Sequence, residues 1–113
     1  MAIIYKILRS EEYAAFVAAG RTEGAPIDLQ DGYIHFSTGD QVEETAARHF
    51  AGEEGLKLLA IDPDTLGDAL KWEVSRGGAL FPHLYRELRF EDVVFVRDLP
   101  FRDGKHRFEG LTH

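Results

Sequence analysis

The chain has 113 residues, 44% hydrophobic and 29% charged, which bounds it to one soluble globular domain and argues against a disordered or membrane-spanning chain. It contains no cysteine, so a disulfide framework, a thiolate nucleophile and a cysteine-ligated zinc site are excluded. The net charge of -7 argues against extended nucleic acid as a partner, because that affinity comes from Lys and Arg neutralising phosphates.

The charge is uneven. Residues 1–56 carry 4 basic and 10 acidic side chains, whereas residues 57–113 carry 9 and 10, which leaves room for a local anion site in the second half. No apolar run approaches the roughly 20 residues a membrane helix needs, so no membrane contact is expected. The opening Met1-Ala2-Ile3-Ile4-Tyr5-Lys6 lacks the charged region and cleavage site of a signal peptide, so the cytoplasm is the expected compartment. A single domain over residues 1–113 is expected, with a core at about 2–97 and a C-terminal extension over 99–113.

Residues 2–8 are rich in β-branched side chains and read as a strand, with Lys6 an oddity inside it. Ser10 reads as the N-cap of a helix with Glu11 and Glu12 in its first turn, ended by Gly20. A polar loop through Pro26 and Asp31 leads to Tyr33-Ile34-His35-Phe36-Ser37, a strand with Tyr33, His35 and Ser37 on one face and Ile34 and Phe36 on the other. Thr38 and Gln41 fit a capping box before a second helix from about Asp40 to Phe50, which sets His49 near its body-facing side.

Leu56–Ile61 is a nearly continuous apolar strand, stopped by Asp62-Pro63 and followed by a short helical turn. Leu70–Val74 alternates as a half-buried strand does, with Lys71 and Glu73 opposite Leu70, Trp72 and Val74. Ser75-Arg76-Gly77-Gly78 connects it to Leu80–Tyr85, and Phe90–Arg97 is a final strand. The tail from Leu99 is polar and without periodicity, which fits either partial disorder or a packed irregular extension. Strand, helix, strand, helix and then mostly strands makes an α+β domain with two main helices in its N-terminal half.

Candidate chemistry concentrates on two strands. His35 and Ser37 share a face but sit roughly 7 Å apart, too far for a direct nucleophile and base pair. Ser37 and Thr38 also serve as helix caps, and His35 as a core histidine bonded to a backbone carbonyl. His83 lies in an apolar segment with Tyr85 on its face, a pairing suited to stacking on a base or nicotinamide. Glu73 suits general-base work or stabilisation of an oxocarbenium-like sugar, with a surface ion pair as the ordinary alternative. Arg76 beside two glycines suits a phosphate cradle or a plain turn. Three histidines with Glu73 would suffice for a metal, but no ligand spacing supports one, so none is expected.

The stretches Asp31-Gly32-Tyr33-Ile34-His35-Phe36-Ser37-Thr38, Leu70-Lys71-Trp72-Glu73 and Gly78-Ala79-Leu80-Phe81-Pro82-His83-Leu84-Tyr85 together resemble the bacterial domain-of-unknown-function 952 family, over roughly residues 2–97. That family is similar, more distantly, to the NAD-dependent ADP-ribosyltransferases, whose fold pairs two split β-sheets around an NAD cleft. The resemblance implies NAD or another nucleotide-like ligand as substrate. It implies Lys6 for the first-strand residue that contacts ribose, the stretch 32–50 for stacking on nicotinamide, and Glu73 or His83 for the late-strand acid. Family members look like Ile-Tyr-His-Ile where this chain has Ile4-Tyr5-Lys6-Ile7. Lysine donates but accepts nothing and does not stack as imidazole does.

The expected catalytic residues are therefore His83, Glu73 and His35, with Lys6, Tyr33, Ser37, His49, Arg76 and Tyr85 as ligand-binding residues. ADP-ribosyl transfer or hydrolysis is the implied reaction. A noncatalytic ligand-binding module and a metal-dependent hydrolase are the alternatives.

Overall fold

A computed structural model describes residues 2–111, apart from the Arg76 side chain. In chain order the elements are β1 (Ile4–Leu8), α1 (Ser10–Ala19), β2 (Arg21–Thr22), α2 (Pro26–Asp31), β3 (Ile34–His35), β4 (Ser37–Thr38), α3 (Val42–His49), β5 (Leu56–Ile61) and β6 (Leu70–Val74). They continue with β7 (Leu80–Leu84), β8 (Leu88–Arg89), β9 (Val93–Leu99), β10 (Phe101–Arg102) and β11 (Lys105–His106). The class is α+β, built on antiparallel pairs.

Four strands in the order β4-β1-β5-β9 form the main sheet, and three in the order β3-β7-β6 form a second. The central strands β1 and β5 are buried on both faces, which is why they read as nearly unbroken apolar runs. On one face Tyr5, Ile7, Leu56, Leu58 and Ala60 pack against Val42 and Ala46 of α3. On the other, Ile4, Leu8, Leu59 and Ile61 meet Phe16 of α1 and Ile34 and Leu84 of the second sheet. By the period of two, Lys6 falls on this second, apolar face.

Several expectations are corrected. Arg9, not Ser10, precedes α1, and its N–H is taken by Glu12 Oε1 at 2.8 Å. Gly20 ends that helix in the left-handed region, as its position implied. The loop through Pro26 contains a helix, α2, because Pro sits well in a first turn and Asp28 reaches back to the Ala25 N–H at 2.8 Å. The motif strand is split: β3 joins the second sheet and β4 the main one, with the break at Phe36.

Helix α3 starts at Val42, two residues later than expected, although the Thr38 N–H does donate to Gln41 Oε1 at 3.0 Å. Strand β6 is less buried than its alternation implied, with Trp72 45% and Val74 70% exposed. The tail is no loose extension. It forms the hairpin β10–β11 and inserts Phe108 into the α3 side of the core, while His106 Nε2 contacts the Glu53 carbonyl at 2.8 Å. Among the described residues no helix is long and apolar enough to cross a membrane.

Candidate functional site

The parting of β3 from β4 opens a cleft of about 890 Å³ between the second sheet, β1, α2 and α3. Lys6, Asp28, His35, Ser37, His49 and His83 all contribute to its lining. His35 and His83 sit directly opposite one another on β3 and β7, with ring centroids 5.4 Å apart in an edge-on arrangement. They are cross-strand neighbours, which brings the two histidine motifs to one place.

The His35 end is organised by Asp28, a buried carboxylate that accepts four hydrogen bonds. Its Oδ2 takes Lys6 Nζ at 2.7 Å and the Ala25 N–H at 2.8 Å, and its Oδ1 takes the His35 N–H at 3.0 Å and lies 2.5 Å from His35 Nδ1. Burial alone would push this carboxyl up, but the His35 and Lys6 contacts outweigh it and hold the pKa down at about 2. Lys6 Nζ also donates to the His35 carbonyl at 3.0 Å. His35 Nε2 lies 2.9 Å from Asp31 Oδ2, so the ring is clamped between two carboxylates from α2. Gly24 makes room for this: its φ is +107°, and a Cβ there would come within 2.5 Å of the Asp28 side chain.

The His83 end is open on one side. Buried His83 places Nδ1 2.8 Å from Glu73 Oε1, and the Tyr85 hydroxyl donates to that same oxygen at 2.7 Å. These two bonds, Tyr85 first, hold the Glu73 carboxyl below the usual range. The carboxylate in turn pushes the Tyr85 phenol up to about 12. Tyr33 stacks on His83 at 4.2 Å between centroids and lies 5.3 Å from Tyr85. Burial, then the nearby charges of Asp31, Glu73 and Asp28, raises the Tyr33 pKa as well.

Ser37 Oγ lies 2.8 Å from Thr45 Oγ1, whose own proton goes to the Gln41 carbonyl at 3.1 Å. Ser37 therefore ties β4 to the body of α3 rather than capping its start. His49 is exposed at the cleft wall, and the side chain of Arg76 lies outside the described residues. Among the described residues no group of three or more His, Asp or Glu side chains is arranged to hold a metal ion.

The geometry thus brings together Lys6, His35, His83, Glu73, Tyr33 and Tyr85; Ser37 and His49 line the cleft, whereas Glu73, Tyr33 and Tyr85 lie outside its lining. Sequence reasoning missed Asp28 and gave no role to Asp31. Two features would have found Asp28: a lysine inside an apolar strand demands a buried carboxylate, and Ala25-Pro26-Ile27-Asp28 is a helix start with its acid at the third helical position.

The family model described as a protein of unknown function, DUF952, matches residues 7–96. The crystal structure of protein CC0527 from Caulobacter crescentus is 50% identical in sequence, with 95% of each chain covered and a TM-score of 0.91. A solution NMR structure of the same protein is also 50% identical, with 96% of this chain and 94% of that chain covered and a TM-score of 0.86. Among curated proteins nothing matches. The chain therefore belongs to the DUF952 family.

Proposed function

We propose that this DUF952 chain is an ADP-ribosyltransferase-like domain whose cleft binds NAD or another nucleotide-like ligand, with His83 as the acid/base group for hydrolysis or transfer at the nicotinamide ribose. One observation carries the reading: a buried imidazole on the cleft wall is held at Nδ1 by Glu73 and stacked on Tyr33. A base oriented by a carboxylate at one nitrogen offers the other to a substrate. Two sheets parting around a cleft of about 890 Å³, a volume in the range of small-molecule sites, support the same reading.

In the step itself the bond between ribose C1′ and the nicotinamide nitrogen breaks. Its electron pair stays with the nitrogen and neutralises the pyridinium charge. Oxygen of water or of an acceptor hydroxyl bonds to C1′, and its proton passes to His83 Nε2. Glu73 then faces an imidazolium and stabilises it.

A second reading, a noncatalytic ligand-binding module, is favoured by Lys6. Its ammonium is turned onto Asp28 and the His35 carbonyl instead of toward a ribose. Calorimetric titration with NAD and ADP-ribose, paired with an assay for released nicotinamide, separates the two. Under the first reading His83→Ala keeps measurable NAD affinity and loses nicotinamide release. Under the second, affinity falls and no release occurs with either protein. Absence of binding to both compounds at millimolar concentration removes both readings.

A further inference from the structure

Strand β6 ends the second sheet, and its outer edge has a self-complementary pattern. The Phe36 N–H donates to the Pro82 carbonyl at 3.0 Å, so Pro82 turns its backbone toward β3 and away from Trp72, its partner in register on β6. Trp72 consequently directs its N–H and carbonyl outward, and by the period of two Leu70 and Val74 do the same. The flanking bonds agree: the Ala69 carbonyl accepts the Tyr85 N–H at 2.8 Å, and the Ser75 N–H donates to the Ala79 carbonyl at 2.9 Å. The Leu70 N–H is already given to the Gly67 carbonyl, so the edge presents the Leu70 carbonyl and the N–H and carbonyl of both Trp72 and Val74, on a strand that also exposes Trp72 and Val74 beside Leu80 of β7, itself 53% exposed. An apolar, unpaired edge of this kind is a template for another strand.

We propose that β6 pairs antiparallel with β6 of a second copy of this chain, about a two-fold axis at Trp72, making one six-stranded sheet. The argument for a second copy is charge. Around that axis Leu70 lies opposite Val74, Trp72 opposite Trp72, and Lys71 opposite Glu73, twice over. The two Trp72 residues then exchange N–H and carbonyl bonds, and each Val74 N–H donates to the Leu70 carbonyl of the other copy. The Lys71 and Glu73 positions are the closely spaced, non-hydrogen-bonded pairs, where opposite charges attract most. On the opposite face Trp72 gains the Trp72 of the second copy, and Val74 its Leu70, as cross-strand neighbours.

The pairing also reaches the His83 site. Glu73 Oε1 already accepts from Tyr85 and contacts His83, and its second oxygen is the one that receives Lys71 of the second copy. Each protomer thereby supplies a cation to the carboxylate that orients the other's histidine.

Analytical ultracentrifugation of the full chain over a concentration series tests this, with the emission of Trp72, the chain's single tryptophan, as a second readout. The wild type is expected to dimerise, with a blue shift as concentration rises. Lys71→Glu places two like-charged pairs across the axis and should weaken self-association at least about tenfold. Glu73→Lys should do likewise, while an equimolar mixture of the two variants restores both attractive pairs and the dimer. Circular dichroism verifies that each variant is folded. If Glu73→Lys does not fold, the double exchange Lys71→Glu with Glu73→Lys replaces the mixture and should recover dimerisation. A wild type that stays monomeric throughout, a Lys71→Glu variant that dimerises as tightly as wild type, or a mixture that stays monomeric would each overturn the proposal.

Discussion

His35 and His83 are the same residue type, adjacent on the same face of one sheet, yet their surroundings give them different work. His35 is gripped by Asp28 and Asp31, and the Asp28 carboxylate is sealed in protein with Lys6 against it. His83 is itself buried but leans on Glu73, whose side chain is 41% exposed. A buried carboxylate with four partners cannot rearrange without leaving charges uncompensated, whereas an exposed one can change partners at little cost. The first end is a fixed strut that holds α2 to β1 and β3, and the second is the end to which the proposed reaction assigns proton transfer.

The largest effect that tests this contrast is on stability. Asp28→Ala strands the Lys6 ammonium and leaves the Ala25 and His35 N–H groups without their acceptor, so it should cost about 3–5 kcal/mol in urea unfolding. Glu73→Ala should leave the urea midpoint nearly where it is. Equal midpoints for the two variants would dissolve the distinction.

Acid provides the next test. Asp28 has its folded pKa depressed from 3.8 to about 2, so its stabilisation is complete above the unfolded value and is lost as pH falls through the folded one. A shift of that size corresponds to about 2 kcal/mol lost between about pH 5 and pH 2. Asp28→Asn should be less stable throughout but should lose less over that window. A parallel loss in both proteins would mean that other carboxylates govern acid unfolding.

The two ends were also unequally legible in the sequence. Local pattern was enough for β5, for the left-handed stop at Gly20 and for the two histidine motifs, because periodicity and caps act over a few residues. Pairing was not. That His35 faces His83, and that Glu73 reaches His83 diagonally from the Phe81 position, depends on a register no local rule sets. The split at Phe36 was hidden for the same reason, since β3 and β4 look like one alternating strand until two sheets compete for it. The tail misled through its polarity: Phe108, with Leu111 packed against the same cluster, anchors it in the core, and scattered apolar residues among charges carry no period. The strut was hidden because its members, Lys6, Asp28 and His35, come from three separate elements.

At the exposed end the expected effects are on chemistry. Glu73→Gln keeps the shape but removes the charge that orients His83 and would face its imidazolium. If the proposed reaction holds, nicotinamide release should fall about 10²-fold, the scale of acid/base assistance, with NAD affinity and the urea midpoint little changed. An unaltered rate would take Glu73 out of the proton-transfer step.

Tyr85→Phe is the mildest change and separates support of the carboxylate from support of the fold. The Tyr85 hydroxyl is the leading reason that Glu73 titrates low, so its loss should move the Glu73 carboxyl up toward the ordinary range, readable by carboxyl-carbon NMR. The reciprocal effect is in the wild type, where the phenol donates to a charged carboxylate and its deprotonation is delayed to about 12. Because that folded pKa is raised above the ordinary 10.0, the bond's stabilisation is present below the ordinary value and fades as pH rises through the folded one. Ultraviolet titration should therefore show, besides the raised Tyr33, a phenol ionising at about 12 that is missing from Tyr85→Phe and that moves back toward the ordinary range in Glu73→Gln. If the late phenol survives in Glu73→Gln, the carboxylate is not its cause, and the open end of the site is held by something other than the Glu73–His83–Tyr85 contacts.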